Sequence, residues 1–298
     1  MRVVIAGGSG FLGRALQNHL RHQGHVAVVL TRRPTPNGSD AVTWAPDGSA
    51  GPWTAALADA DAVVNLAGEH LAAKRWTAAR KAVLRSSRIL STRSIVRAIR
   101  AATPRPRALL NVSGTGYYGE RRDAIVTEAT PAGTDFLALL CADWEREAER
   151  AADVTRVVRM RNGAVLHPSS GALKEMLLPF RLGIGGPVGS GRQYLPWIHL
   201  DDWVALVTWL IEASDAHGAF NLTTPLPTTN AEFSHALGRA LRRPAITPVP
   251  GFALRALYGE IAGTLLTGQR AIPQRATEMG FSFRFAEIDV ALHHLLRR

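Results

Sequence analysis

Two clusters in this 298-residue chain have the residue types and spacing of groups that hold phosphate. The first is Gly7-Gly8-Ser9-Gly10-Phe11-Leu12-Gly13, with glycines spaced G-x-x-G-x-x-G. Gly7 can take backbone angles closed to other residues, Gly10 lets the main chain approach a pyrophosphate, and Gly13 lets a following helix pack closely. The second cluster is Thr31-Arg32-Arg33, placed where a NAD site usually carries an Asp or Glu for the ribose 2′-hydroxyl. No carboxylate follows until Asp40. Arginine's planar fork suits a 2′-phosphate, at about 1.5–3 kcal/mol per charge-assisted bond. This chemistry predicts NADP (NADPH) in preference to NAD, set against the plainer reading of two solvated loop cations.

Other reactive types are sparse. The lone cysteine, Cys141, stands beside Leu139, Leu140, Asp143 and Glu145 with no adjacent histidine, which predicts a packing thiol rather than a nucleophile. His293 and His294 are neighbours and cannot share a helix face, so no metal site is predicted.

Positioning the phosphate-holding residues requires a strand, a turn, a helix and a second strand. Arg2-Val3-Val4-Ile5-Ala6 is an apolar, β-branched run that reads as a buried strand. Ala15, Leu16 and Leu20 recur at helical spacing, Gly24 closes that helix, and His25 to Leu30 reads as the next strand. The helix start offers unpaired N–H groups and partial positive charge to phosphates. Further strands are expected over Ala62–Gly68, ending at a small-residue turn, and at Ala108–Ser113 and Arg156–Leu166, with helices over Lys74–Ala102 and Asp135–Ala152. Pro34 to Gly51 reads as a loop, Asp201-Asp202 as a cap for a helix from Trp203, and Asn230 as a cap for another. Strands alternating with helices argue for an α/β fold with a doubly wound parallel sheet. Residues 1–166 are expected to form a dinucleotide-binding Rossmann domain, completed by about 200–225. Residues 167–298 are expected to form mainly a smaller C-terminal substrate domain.

The chain is 46% hydrophobic, and its longest apolar runs are too short to span a bilayer. The first apolar run is already a strand rather than a signal peptide, and a cytoplasmic location without membrane association is expected. A net charge of +11 favours anionic small-molecule partners. Arg93, Arg97 and Arg100 share a helix face, but charge runs are usually solvated and no RNA-binding aromatic pattern accompanies them, so nucleic acid is not expected. A homo-oligomer is compatible with all of this.

The ordered set of motifs resembles the extended short-chain dehydrogenase/reductase superfamily. The resemblance rests on Gly7–Gly13, Asn65-Leu66-Ala67-Gly68 and Ser113-Gly114-Thr115-Gly116-Tyr117-Tyr118-Gly119. Glu69 with Arg75-Trp76, Trp144-Glu145, Arg161-Asn162-Gly163-Ala164-Val165-Leu166, Gly189–Gln193 and Trp197–Asp202 bring the chain close to an atypical branch of nucleoside-diphosphate-sugar epimerase-family proteins. Phe220–Pro225 and Gly280–Phe283 carry the likeness to the C-terminus.

The resemblance implies cofactor contacts from Gly7, Ser9, Gly10, Phe11, Leu12 and Gly13 at the pyrophosphate, and from Thr31 and Arg32 at the adenosine phosphate. Asn65, Leu66, Ala67 and Gly68 would line the adenine and ribose path. Ser113, Gly163 and Val165 would approach the nicotinamide, and Arg88 stands where the superfamily commonly has a cofactor-side Asn. Glu69, Arg192, Gln193, Tyr194 and Trp197 are the candidate contacts for an anionic substrate, with Trp197 and His199 also readable as packing residues.

The superfamily's Tyr-x-x-x-Lys pair is absent from the helix after the Ser113 strand, and none of the three lysines (Lys74, Lys81, Lys174) lies near it. Gly114 falls at the usual catalytic hydroxyl position, which leaves Ser113, Tyr117 and Tyr118 as candidate catalytic groups. The function implied is an NADP-binding epimerase or oxidoreductase acting on a sugar nucleotide or similar anionic carbonyl or alcohol. The alternative is a cofactor-bound sensor or interaction protein with little turnover.

Overall fold

The structure, a computed structural model, describes residues 1–33 and 40–296. The part of the expected loop that falls on residues 34–39 lies outside the described residues. The chain runs β1 (Arg2–Ala6), α1 (Phe11–His22), β2 (Val26–Thr31), β3 (Ala41–Thr43), β4 (Ala62–Asn65), α2 (Ala78–Ala101) and β5 (Ala108–Gly114). It continues through β6 (Ile125–Val126), α3 (Phe136–Glu149), β7 (Arg156–Asn162), β8 (Ala164–Leu166), α4 (Gly171–Arg181), β9 (Tyr194–Leu195) and β10 (Trp197–His199). Then come α5 (Leu200–Glu212), β11 (Gly218–Leu222), β12 (Thr228–Thr229), α6 (Asn230–Leu241), α7 (Gly251–Tyr258) and α8 (Gly263–Leu266). The chain closes with β13 (Arg270–Ala271), α9 (Gln274–Glu278) and α10 (Ile288–Leu296).

Seven strands form one parallel sheet in the order β11-β7-β5-β4-β1-β2-β3. Both faces are covered, so the central strands read as continuous apolar runs and Val3, Val4, Ile5, Val63 and Val64 are wholly buried. The order reverses between β1 and β4, and such switch points leave a crevice at the carboxyl ends of the strands where ligands bind. β11, arriving after α5, completes the sheet by pairing with β7.

Local chemistry moves several boundaries. The expected strand over residues 156–166 is two strands: at Gly163 the chain leaves the main sheet, its N–H going to the Leu222 carbonyl, and β8 then pairs with β10. The helix expected from Lys74 starts at Ala78, because Thr77 caps it by accepting from the Arg80 N–H. Asp201-Asp202 do not cap α5. His199 does, its Nδ1 accepting from the Asp201 N–H at 2.9 Å, while the Asp202 carboxylate accepts from the N–H groups of Arg284 and Phe285. Thr229 rather than Asn230 caps α6, in a capping box with Glu232. Asn230 instead accepts from the Val188 N–H.

The arginine face of α2 is consumed by intramolecular partners. Arg93 forks onto Glu147 at 3.0 and 3.1 Å, Arg97 donates to the Gly48 carbonyl, and Arg100 pairs with Asp153. Among the described residues no helix is long and apolar enough to cross a membrane.

Candidate functional site

The glycine-rich turn joins β1 to α1 at the switch point. Gly7 sits at φ +75°, and a Cβ there would lie 2.8 Å from the Leu66 carbonyl carbon in the turn after β4. A Cβ on Gly13 would stand 2.5 Å from Gly8 Cα, so α1 can approach the turn only with glycine there. The N-cap of α1 is Gly10, no side chain caps it, and no acid stands in its first turn. The first N–H groups of the helix are therefore left to an anion, which is the arrangement a pyrophosphate needs. Gln17, which the sequence did not single out, braces the turn by donating to the carbonyls of Gly8 (2.6 Å) and Gly13 (3.1 Å).

At the end of β2, Thr31 Oγ1 accepts from the Arg33 N–H, and the Arg32 side chain is 74% exposed. Glu69 lies 3.9 Å from Arg32 and 3.3 Å from Arg80. The Glu69 carboxylate, expected among the substrate contacts, thus faces two cations, Arg32 and Arg80. The Asn65 amide is fully spent: it donates to Thr92 (2.9 Å) and Asn111 (2.7 Å) and accepts from the Ala67 N–H (3.1 Å). Asn65 shapes the Leu66-Ala67-Gly68 turn and presents no side-chain group to a ligand. Arg88 is buried beneath that turn, donating to the carbonyls of Leu84 and Glu69 at 3.1 Å with its guanidinium 5.0 Å from the Trp144 ring centroid.

The carboxyl end of β5 carries the candidate catalytic groups, and they divide sharply. Tyr118 is fully buried, donates to Asn221 Oδ1 at 2.6 Å and accepts from Arg161 at 3.0 Å; burial pushes its hydroxyl up to about 12. Those contacts remove Tyr118 from the set of available acids. Tyr117 is half-buried, with the Arg161 guanidinium 3.5 Å from its ring centroid and its hydroxyl without a hydrogen-bond partner among the described residues. Arg161 is itself buried and forks onto Glu145 at 2.9 and 2.8 Å. Burial opposes its charge, but Glu145 outweighs burial and holds the guanidinium above its ordinary value. Ser113 is 4% exposed, and its buried Oγ lies beside the Cys141 thiol with no oxygen or nitrogen partner among the described residues.

The face that α3 turns toward this strand end carries Leu137 and Cys141, four residues apart. A Cβ built on Gly116 would meet Leu137 at 3.3 Å, and one on Gly114 would meet the Cys141 sulfur at 3.9 Å. Burial and then Glu145 push that thiol up to about 11, so it is protonated and inert at neutral pH.

In the expected substrate loop only part of the set is available. Trp197 is fully buried and its indole donates to Thr228 at 3.1 Å, so it packs in the core and cannot meet a substrate. The Gln193 amide is taken by the carbonyls of Val188 (2.9 Å) and Leu265 (3.0 Å), fixing the loop to α8. Arg192 is exposed, and Tyr194 is half-buried with the Arg270 guanidinium 5.3 Å from its ring centroid. Val165 is half-buried in β8, paired in register with Ile198 of β10.

Two features had no sequence signal. Arg75 donates to the carbonyls of Leu257 (3.0 Å) and Ala256 at the end of α7, and Lys81 pairs with Glu260 at 2.5 Å. These contacts tie the C-terminal segment to the cofactor-side turn. His199, Asp201 and His294 also converge, with His199 Nε2 3.1 Å from His294 Nδ1. Because His199 Nδ1 accepts from a backbone N–H, Nε2 of the neutral ring carries the proton, so this is a hydrogen-bonded histidine pair and not a set of free metal ligands.

The profile of the NAD dependent epimerase/dehydratase family matches residues 3–223, and that of a domain of unknown function, DUF1731, matches residues 249–295. The bovine (Bos taurus) epimerase family protein SDR39U1 is 41% identical over 301 residues, spanning 99% of this chain and all of that protein. The crystal structure of human SDR39U1 (isoform 2) with NADPH superposes with a TM-score of 0.93 at 38% identity, covering 100% of both chains. The nucleoside-diphosphate sugar epimerase of Corynebacterium glutamicum gives 0.81 at 30% identity, covering 99% of this chain and 58% of that one. By sequence over nearly its whole length and by its parallel sheet and glycine turn, the chain belongs to the NAD dependent epimerase/dehydratase family.

Proposed function

We propose that the chain binds NADP(H) and acts as an epimerase- or oxidoreductase-like protein on an anionic carbonyl or alcohol substrate of the sugar-nucleotide class. The turn has the build a dinucleotide site needs: Gly7 and Gly13 let it close on Leu66 and let α1 pack onto Gly8 where a Cβ would clash, the start of α1 is uncapped, and the end of β2 carries Arg32 in place of an acid. Likeness to a human protein crystallised with NADPH supports the same choice. When bound, the nicotinamide supplies hydride transfer. The chain's own groups hold and orient it: the turn N–H groups the pyrophosphate, Arg32 the adenosine phosphate, and Ser113 Oγ the nicotinamide end.

One observation carries the second half of the reading. The i, i+4 pair that α3 turns toward β5 is Leu137 and Cys141, where the superfamily uses tyrosine and lysine. Neither can pass a proton at neutral pH, which leaves the partner-free hydroxyl of Tyr117 as the acid near the site. General acid–base help contributes about 10²–10⁴-fold in rate, so turnover should be slow while binding is kept. The same observation favours a second reading, a cofactor-bound sensor with negligible turnover.

The test is the nicotinamide absorbance of NADPH mixed with UDP-sugars, ketones and alcohols, alongside a UDP-sugar epimerisation assay. Slow or absent reaction is expected, and Tyr117→Phe should abolish whatever activity exists. Rapid UDP-sugar epimerisation that survives Tyr117→Phe would overturn the reading.

A further inference from the structure

A cavity of about 340 Å³ opens on the outer side of the glycine-rich turn, lined by Ser9, Arg14, Arg21, Thr31 and Asp40 among others. Its position is informative. Thr31 is the last residue of β2, the place from which this kind of fold addresses the adenosine ribose. Ser9 lies on the turn that faces the pyrophosphate. A phosphate on the ribose 2′-oxygen would therefore enter the cavity between these two walls.

The two arginines of the cavity differ. Arg21 is already paired with Asp40 at 3.2 Å, which neutralises that wall. Arg14 has no carboxylate partner among the described residues. One of its guanidinium N–H groups donates to the Ser9 carbonyl, which anchors the side chain at the turn and leaves further donors of the planar fork uncommitted. Thr31 Oγ1 accepts from the Arg33 N–H and donates to no acceptor among the described residues, so its proton can be offered to a phosphate oxygen. Arg32, by contrast, stands near Glu69 at 3.9 Å and does not line the cavity.

We propose that Arg14 is a second 2′-phosphate ligand, which closes on the phosphate from the first turn of α1 while Arg32 approaches from the end of β2. The proposal rests on the NADP(H) reading above and deepens it. Selectivity for the phosphorylated nucleotide is divided between a residue of the turn-and-helix unit and one of the loop after β2. Only the second occupies the position at which such preference is usually sought.

The experiment is calorimetric titration of the full chain with 2′,5′-ADP and with 5′-AMP, which differ by the 2′-phosphate alone. It is run on the unsubstituted protein, Arg14→Ala, Arg14→Lys and Arg32→Ala, with thermal melts confirming folding. Arg14 is exposed and alanine is a strong helix former, so the fold should survive. Arg14→Ala should weaken 2′,5′-ADP about tenfold or more, as loss of one charge-assisted contact does, and leave 5′-AMP within about twofold. Arg14→Lys, which keeps the charge but loses the fork, should recover part of the loss. A preference for 2′,5′-ADP that persists undiminished in Arg14→Ala, or equal weakening of both nucleotides, would overturn the role of Arg14 alone. No preference in the unsubstituted protein would overturn the NADP(H) reading together with it.

Discussion

Removing the Glu145 carboxylate should be among the most costly single changes in the molecule. Glu145 and Arg161 have side chains only 3% exposed, and two hydrogen bonds of 2.9 and 2.8 Å join them. In Glu145→Ala the guanidinium keeps Tyr118 Oη and the Glu128 carbonyl as acceptors but loses the counter-charge it is buried against. Breaking one partner of such a buried pair costs about 3–5 kcal/mol. At about 2 °C per kcal/mol for a chain of this size, the melting temperature should fall by about 6–10 °C. Replacing both partners, as in Arg161→Met with Glu145→Leu, should recover much of that loss, because the desolvated charges go together. Urea unfolding of the two single variants and the double variant measures the coupling. A Glu145→Ala loss below about 1 kcal/mol, or a double variant no better than the worse single, would refute the mutual dependence of these two buried charges.

Three further outcomes follow from the same contacts. Tyr118→Phe should cost about 1–3 kcal/mol because it strands Asn221 Oδ1, whereas Tyr117→Phe should leave urea stability nearly unchanged; equal losses would contradict the assignment of the two rings. His199 is held neutral by burial, which depresses its pKa to about 4, so the folded state takes up that proton later than the unfolded chain. The stability this contributes, on the order of 3 kcal/mol, is complete above about pH 6.5 and is lost as the pH falls toward 4; melting temperatures against pH should slope less steeply in His199→Gln than in the parent, and identical slopes would refute it. Cys141→Ser should leave NADPH affinity unchanged, and the native thiol should react slowly with a disulfide reagent; fast labelling would contradict its burial and raised pKa.

The sheet and the phosphate turn were legible because their signals are local. A β-branched run followed by spaced glycines and an amphipathic stretch leaves few alternatives to β1, the turn and α1. What stayed illegible depends on partners distant in the chain. Asn65 looks like a turn residue facing a ligand, but Thr92 and Asn111 absorb its amide. Tyr117 and Tyr118 are adjacent and chemically alike, and only Asn221, more than a hundred residues on, decides which hydroxyl is spent. Asp201 has the right type to cap α5, yet His199 two residues earlier does so because its ring is locked between Phe285 and His294. Arg14 looks like an ordinary helix cation, and it becomes notable only beside Ser9 and Thr31 around one cavity.

On the reading proposed above, the crevice between β1 and β4 takes a 2′-phosphorylated dinucleotide. The most direct measurement is the affinity of the unsubstituted chain for NADPH and for NADH, by calorimetry at low and at raised salt. NADPH should bind at least about tenfold more tightly at low salt, and the difference should shrink as salt screens the arginine–phosphate contact. Equal affinities at both salt concentrations would contradict the account.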